Sequence, residues 1–227
     1  MKKKLESVKQ AIKAAAESCG RSPDSIRLVA VSKTMPADKV KEAIDAGAAI
    51  IGENYIQESR EKFQALSQYN ISWHFIGHLQ TNKAKYAVRL FDLIHTVDTL
   101  KLARGLNKEA KKHDKVQQIL IQVNISEELS KSGTGIDNVL GLTREISMLE
   151  NLSLKGLMTI PPFFNSPEKA RPFFKKLMEI KNIIKKASIP NISMDELSMG
   201  MTGDFKVAIE EGATLVRIGT AIFGQRN

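Results

Sequence analysis

Two parts of the sequence carry residues that could do chemistry together. The first is Val31-Ser32-Lys33-Thr34, where a lysine follows directly on an apolar run beginning at Leu28. If Lys33 points inward, partial desolvation and a neighbouring cation such as Arg217 both favour its neutral amine, which can attack an aldehyde. A lysine in that place can also be the first solvated residue of a loop, and position alone favours the solvated reading. The second part is a pair of glycine- and hydroxyl-rich turns. Ser198, Gly200, Thr202 and Gly203 lie on one, and Gly219 and Thr220 on the other. A phosphate needs several N–H donors, close backbone approach and the start of a helix, and two such turns together supply them.

Other reactive types fall into no working pattern. His74, His78, His95 and His113 lack metal-ligand spacing, and the single Cys19 has no second cysteine to join. Cys19 therefore reads as an inert helical thiol in a reducing compartment. No serine stands in a GxSxG setting. Met158, Met199 and Met201 read as pocket lining or core.

These residues must be positioned by the elements around them. Short apolar, β-branched runs at 26–32, 49–53, 72–77, 93–97, 118–124, 154–160, 196–199 and 214–219 alternate with stretches of helical period. Most of the runs are continuously apolar, as expected of parallel strands covered on both faces. Helices are predicted at 3–18, 37–46, 54–69, 82–89, 99–113, 136–150, 166–187 and 204–211, with a short turn after Thr220. Thr99 and Asp204 read as N-terminal caps, Gly47 and Gly212 as helix ends. Eight βα units predict an α/β fold, a (β/α)8 TIM barrel with an extra N-terminal helix, spanning residues 1–227 as one domain. A doubly wound sheet would call for a GxGxxG or GxxxxGK[ST] turn, and the sequence has neither. In a barrel the C-terminal ends of strands line the active site, so Lys33, Asn54, His78, Thr159, Ser198 and Arg217 are drawn to one rim. The loops at 126–135 and 161–166 join them there.

Composition sets the outer bounds. The 227 residues suffice for a sizeable core, and 42% hydrophobic with 26% charged residues is ordinary for a soluble protein. No apolar run approaches the roughly 20 residues of a membrane-spanning helix, and Glu6, Lys9, Gln10 and Lys13 interrupt any export signal after Met1. A cytoplasmic location is expected. The net charge of +9 comes from lysines scattered over nearly every predicted helix, with no aromatic interleaving. That pattern fits a solvated surface better than a nucleic-acid face.

Several long blocks occur in a family's order: LVAVSKT at 28–34, IGENYIQE at 51–58, WHFIGHLQTNK at 73–83, VNISEELSKSG at 123–133, GLMTIPPF at 156–163 and LSMGMTGDFKVAIEEGATLVRIGTAIFG at 197–224. By these the chain resembles the pyridoxal phosphate homeostasis proteins, single-domain relatives of the alanine racemase N-terminal barrel. The resemblance implies pyridoxal 5′-phosphate (PLP) bound covalently, as a Schiff base on Lys33. It implies that Arg217 faces the pyridine nitrogen and that Ser198, Thr202, Gly219 and Thr220 surround the phosphate. Asn54, His78, Met158 and Met199 match positions near the cofactor. Thr202 stands where the family usually has serine, which keeps the hydroxyl.

An arginine at the pyridine nitrogen makes the ring a weaker electron sink. Alanine racemase adds a tyrosine base from a second domain. This chain stops after the eighth predicted strand, and Tyr55, Tyr69 and Tyr86 all fall in early predicted helices. The expectation is a monomeric protein that holds, buffers or delivers the cofactor, with apo forms of PLP-dependent enzymes as recipients. The alternatives are a PLP-dependent racemase or lyase, and a basic adaptor for RNA or acidic partners.

Overall fold

Parallel strands four to eight residues long form from the apolar runs, and the helical stretches between them return the chain each time to the same end of the sheet. The computed structural model describes residues 1–128 and 131–225. In chain order the strands are β1 (Arg27–Val31), β2 (Ile50–Glu53), β3 (Ser72–Phe75), β4 (Leu93–Val97), β5 (Gln117–Asn124), β6 (Thr134–Gly135), β7 (Leu152–Met158), β8 (Ile192–Ser198) and β9 (Leu215–Ile218). The helices are α1 (Lys2–Ser18), α2 (Ala37–Asp45), α3 (Ile56–Ala65), α4 (Ala84–Leu90), α5 (Leu100–Lys111), α6 (Ile136–Ser147), α7 (Arg171–Lys186), α8 (Phe205–Glu210) and α9 (Thr220–Phe223). The order β4-β3-β2-β1-β9-β8-β7-β5, with β4 also paired to β5, closes eight parallel strands into a barrel. The fold is the predicted (β/α)8 barrel. The two-residue β6 lies outside that ring and pairs with the end of β5.

Alternation along the strands sorts two cores. Side chains of one parity, such as Ile51, Phe75, Ile94, Ile121, Leu197 and Val216, lie under the helices in the larger cluster. Those of the other parity (Val29, Ile50, Leu93, Leu120, Met158 and Leu215) form a small separate cluster inside the barrel. The helices answer with one apolar stripe each. In α7, Phe174, Leu177, Ile180 and Ile184 recur at helical spacing and are buried, each stabilising the fold by roughly 1.5–3 kcal/mol relative to exposure. The predicted N-terminal helix is α1, which buries Leu5, Val8 and Ile12 and packs against α8 and α9.

Element ends differ from expectation for local reasons. The predicted helix at 54–69 runs only over α3, with Tyr55 as its N-terminal flank and Tyr69 beyond its end. The helices at 82–89 and 166–187 each open with a short 3-10 turn, Thr81–Lys83 and Pro167–Ala170. β8 starts four residues before the predicted 196, because Met194 also faces the core. Thr99 caps α5 as predicted, accepting the Leu102 N–H at 3.3 Å. Asp204 flanks α8, but its carboxylate turns back to accept the Met201 N–H at 2.6 Å, so it braces the loop instead of capping the helix. Gly47 and Gly212, both at φ +98°, follow α2 and α8 as predicted. Leu129 and Ser130 of the 126–135 loop lie outside the described residues.

Candidate functional site

At the C-terminal rim a cavity of about 260 Å³ opens between the strand ends. Its walls include Lys33 from the end of β1, Asn54 after β2, Ile160, Pro162, Phe163 and Phe164 after β7, Thr202, Gly203 and Asp204 after β8, and Arg217, Gly219 and Thr220 from β9 and its turn. Six of the ten site residues expected from sequence therefore meet here: Lys33, Asn54, Thr202, Arg217, Gly219 and Thr220. The other four do not line the cavity. Met158, Ser198 and Met199 are wholly buried behind it. His78 sits on the exposed rim, its Nδ1 3.2 Å from the Ser132 hydroxyl.

Lys33 reaches the cavity by strand parity, following Val29 and Val31 onto the inner face, and is half-buried. Ser32 points the other way and bonds Glu53. The chain then turns at Thr34, which adopts φ +66°, an uncommon conformation for a β-branched residue.

Arg217 is 4% exposed and anchors the floor. Its Nη1 donates to Ser198 Oγ at 2.6 Å and its Nη2 to the Thr159 carbonyl at 2.9 Å. Burial pushes its pKa down to about 10, with Asp204 acting in the opposite sense, so it is a cation at neutral pH. The bonding continues down the barrel axis. Ser198 Oγ lies 2.9 Å from His95 Nδ1, and His95 Nε2 lies 3.0 Å from His74 Nδ1. A serine hydroxyl that accepts from Arg217 can still donate to His95 or accept from it, so the imidazole tautomers set the direction of these two contacts. Burial holds both imidazoles neutral: His74 is pushed down to about 3, and His95 also falls well below its ordinary value.

Two features suit a small anion with a polar ring. The Thr202 and Gly203 N–H groups have no acceptor among the described residues, and Thr220 opens α9, where the first N–H groups have no intrahelical partner. Asn54 Oδ1 is buried and has no hydrogen-bond partner among the described residues. The glycines permit close approach. A Cβ at Gly219 would sit 3.1 Å from the Val31 carbonyl, and one at Gly203 would point into open space. No cluster of three or more His, Cys, Asp or Glu suited to a metal occurs among the described residues.

Sequence reasoning left out the apolar lip formed by Ile160, Pro162, Phe163 and Phe164, reading Ile160 as the end of a strand and 161–166 only as a loop. It also left out the roles of His74 and His95, which inward strand parity could have signalled. The contact of Lys62 with Glu53 and Ser32 crosses from a helix to β2 and to the residue after β1, and leaves no local trace.

A closed parallel barrel with a lysine, an arginine and two anion-ready turns on its C-terminal rim defines a class, the alanine racemase type of barrel. The chain belongs to the alanine racemase N-terminal domain family, whose model matches residues 4–227, and within it to the pyridoxal phosphate homeostasis proteins. The protein of that name from Aquifex aeolicus is 43% identical over 223 residues, covering 98% of this chain and 97% of its own length. The Escherichia coli K12 protein is 44% identical over 227 residues, covering 98% and 95%. Among solved structures, PipY of Synechococcus elongatus with PLP bound superposes with a TM-score of 0.83 at 33% identity, covering 94% of this chain and 99% of PipY. Alanine racemase of Clostridium difficile superposes at 0.71 with 15% identity, covering 96% of this chain and 55% of the racemase, and shares the fold alone.

Proposed function

We propose that this protein holds pyridoxal 5′-phosphate as a Schiff base on Lys33 and serves intracellular PLP homeostasis by buffering or delivering the cofactor, without efficient catalysis. The observation that carries the reading is the convergence of Lys33, Arg217 and the open N–H groups of Thr202 and Gly203 on one cavity. The PLP-bound relative PipY and the homeostasis proteins that match nearly end to end support it. When bound, the cofactor supplies an aldehyde. Lys33 would supply the amine that forms the imine with it, with loss of water.

In this reading Thr202, Gly219 and Thr220 hold the phosphate, and Arg217 keeps a positive charge at the ring nitrogen, disfavouring its protonation. Asn54 offers a buried acceptor. Ser198, bonded to both Arg217 and His95, orients the guanidinium; Met158 and Met199 back the site, and His78 guards its rim. Among the described residues the titratable side chains that line the cavity are Lys33, Asp204 and Arg217. Tyr55, Tyr69 and Tyr86 lie off it, which supports a holding role over racemisation. Residues 1–227 act as one monomeric, cytoplasmic domain. No helix among the described residues is long and apolar enough to cross a membrane.

The test is the absorbance of the purified protein with added PLP, before and after borohydride, followed by mass mapping of the modified lysine. Imine absorbance that vanishes in Lys33→Ala supports the reading; no uptake of PLP overturns it. The second reading, a racemase or lyase, rests on the fold shared with alanine racemases. Formation of D-alanine from L-alanine at about 1–10³ per second, ordinary enzyme turnover, would favour it instead.

A further inference from the structure

The two peptide units on either side of the Lys33 Cα are both held by charged side chains that come from outside the cavity. The unit between residues 32 and 33 is held through its carbonyl, because Lys62 Nζ donates to Ser32 O at 2.8 Å. The unit between residues 33 and 34 is held through its N–H, because Thr34 N donates to Glu58 Oε2 at 2.9 Å. The two holders are one turn apart on α3 and 3.6 Å from each other. Behind them Lys62 Nζ also meets Glu53 Oε1 at 2.7 Å, and the same oxygen accepts the Ser32 hydroxyl. Fixing both flanking peptide planes restrains φ and ψ of Lys33, and with them the direction in which its Cα–Cβ bond leaves the chain.

The composition of this cluster does not follow from stability. Glu53 is wholly buried and Lys62 is 5% exposed, and the second Glu53 oxygen has no hydrogen-bond partner among the described residues. Burial pushes the Glu53 carboxyl up, and Lys62 and Ser32 only partly offset it. An apolar pair of similar volume commonly folds as well as a buried ion pair. The cluster also sustains the left-handed Thr34, a conformation that persists only where its surroundings over-determine it.

We propose that Lys62 and Glu58, with Glu53 as the buried counter-charge of Lys62, are positioning residues that aim the Lys33 amine into the cavity. The proposal rests on the reading of Lys33 as the PLP-bearing lysine. Lys62 and Glu58 do not line the cavity themselves. Their effect therefore falls on imine formation and spares the holding of the phosphate and ring.

The experiment compares two ligands on the full-length protein. PLP reports imine formation through its absorbance, and pyridoxamine 5′-phosphate, which has no aldehyde, reports the cavity alone. In the double variant Glu53→Gln/Lys62→Met no uncompensated charge is left buried. It should form the imine about tenfold more weakly, the scale of a lost hydrogen bond to a charged group. Its affinity for pyridoxamine phosphate should stay within about twofold. Glu58→Ala should weaken imine formation in the same selective way, and Glu58→Gln, which keeps an acceptor for Thr34, should restore it.

Equal losses for both ligands would make the cluster a general structural element and overturn the proposal. So would wild-type imine formation in the double variant and in Glu58→Ala. If the double variant does not fold, the partly exposed Glu58 pair decides. Failure of the wild-type protein to form an imine on Lys33 would instead overturn the underlying reading, an outcome visible before any variant is made.

Discussion

Arg217 Nη1 lies 2.6 Å from Ser198 Oγ, and that contact ties the floor of the cavity to the two histidines inside the barrel. Replacing Arg217 by methionine keeps most of the volume and removes a buried cation. The Ser198 hydroxyl and the Thr159 carbonyl then lose their donor, at about 1–3 kcal/mol each, offset by the desolvation no longer incurred. Arg217→Met should fold, lose less than about 3 kcal/mol of stability, and bind PLP at least tenfold more weakly. A thermal melt beside a PLP titration reads both. Unchanged affinity would show that Arg217 does not face the ligand.

The neutral histidines set an acid limit. With the folded His74 at about 3 and an ordinary value of 6.5, the unfolded chain takes up a proton that the folded chain declines between those values. The contribution is thus fully present above pH 6.5 and is lost as pH falls toward 3, on the order of 4–5 kcal/mol at most. His95 acts in the same direction. Urea unfolding between pH 4 and pH 7 should show stability falling with acid, and His74→Asn should reduce that slope by up to about one proton. An unchanged slope would mean that His74 is already protonated in the fold.

Two glycines three residues apart should respond differently to alanine. Gly200 sits at φ +90°, and a Cβ there would meet Ala208 Cβ at 2.6 Å and Phe205 Cα at 3.0 Å. Gly200→Ala should cost about 1–3 kcal/mol, lowering Tm by about 2–4 °C per kcal/mol. Gly203→Ala meets nothing within 4 Å. Its melting temperature should barely move. Calorimetry on the two variants checks the contrast.

Phe163 is 91% exposed although it borders the cavity. Phe163→Ala should leave stability within about 0.5 kcal/mol. If the ring folds over bound ligand, PLP should leave the variant faster in stopped-flow displacement. Equal release rates would place Phe163 outside the binding event.

The barrel was legible because its signal is repeated. Each apolar run pairs with a helix of matching face, so an error at one boundary leaves the order intact. Boundaries failed where tertiary contacts decide them, as at Met194, which extends β8 upstream, and at Tyr69, which falls beyond α3. That Lys33, Arg217, Thr202, Gly219 and Thr220 meet at one cavity was legible because a barrel collects strand ends at one rim, whereas position alone favoured a solvated Lys33. The Ser198 side chain was not, since only the fold shows that Arg217 and His95 together occupy its hydroxyl. Glu58 and Lys62 read as ordinary solvated helix residues, because nothing in a helical stretch reveals a bond to a turn 24 or 30 residues earlier.

Closure of the ring through β4 and β5 has a consequence for the edges of the sheet. An open parallel sheet has two outer strands whose unpaired amides can recruit another chain, and aggregation begins there. Here the barrel strands use their ladder groups on each other, and the short β6 only extends the end of β5. Each strand of the barrel ring therefore has a neighbour on both sides, while the cavity is walled largely by the loops at the rim. Among the described residues no strand of the barrel ring offers an open edge to a second chain.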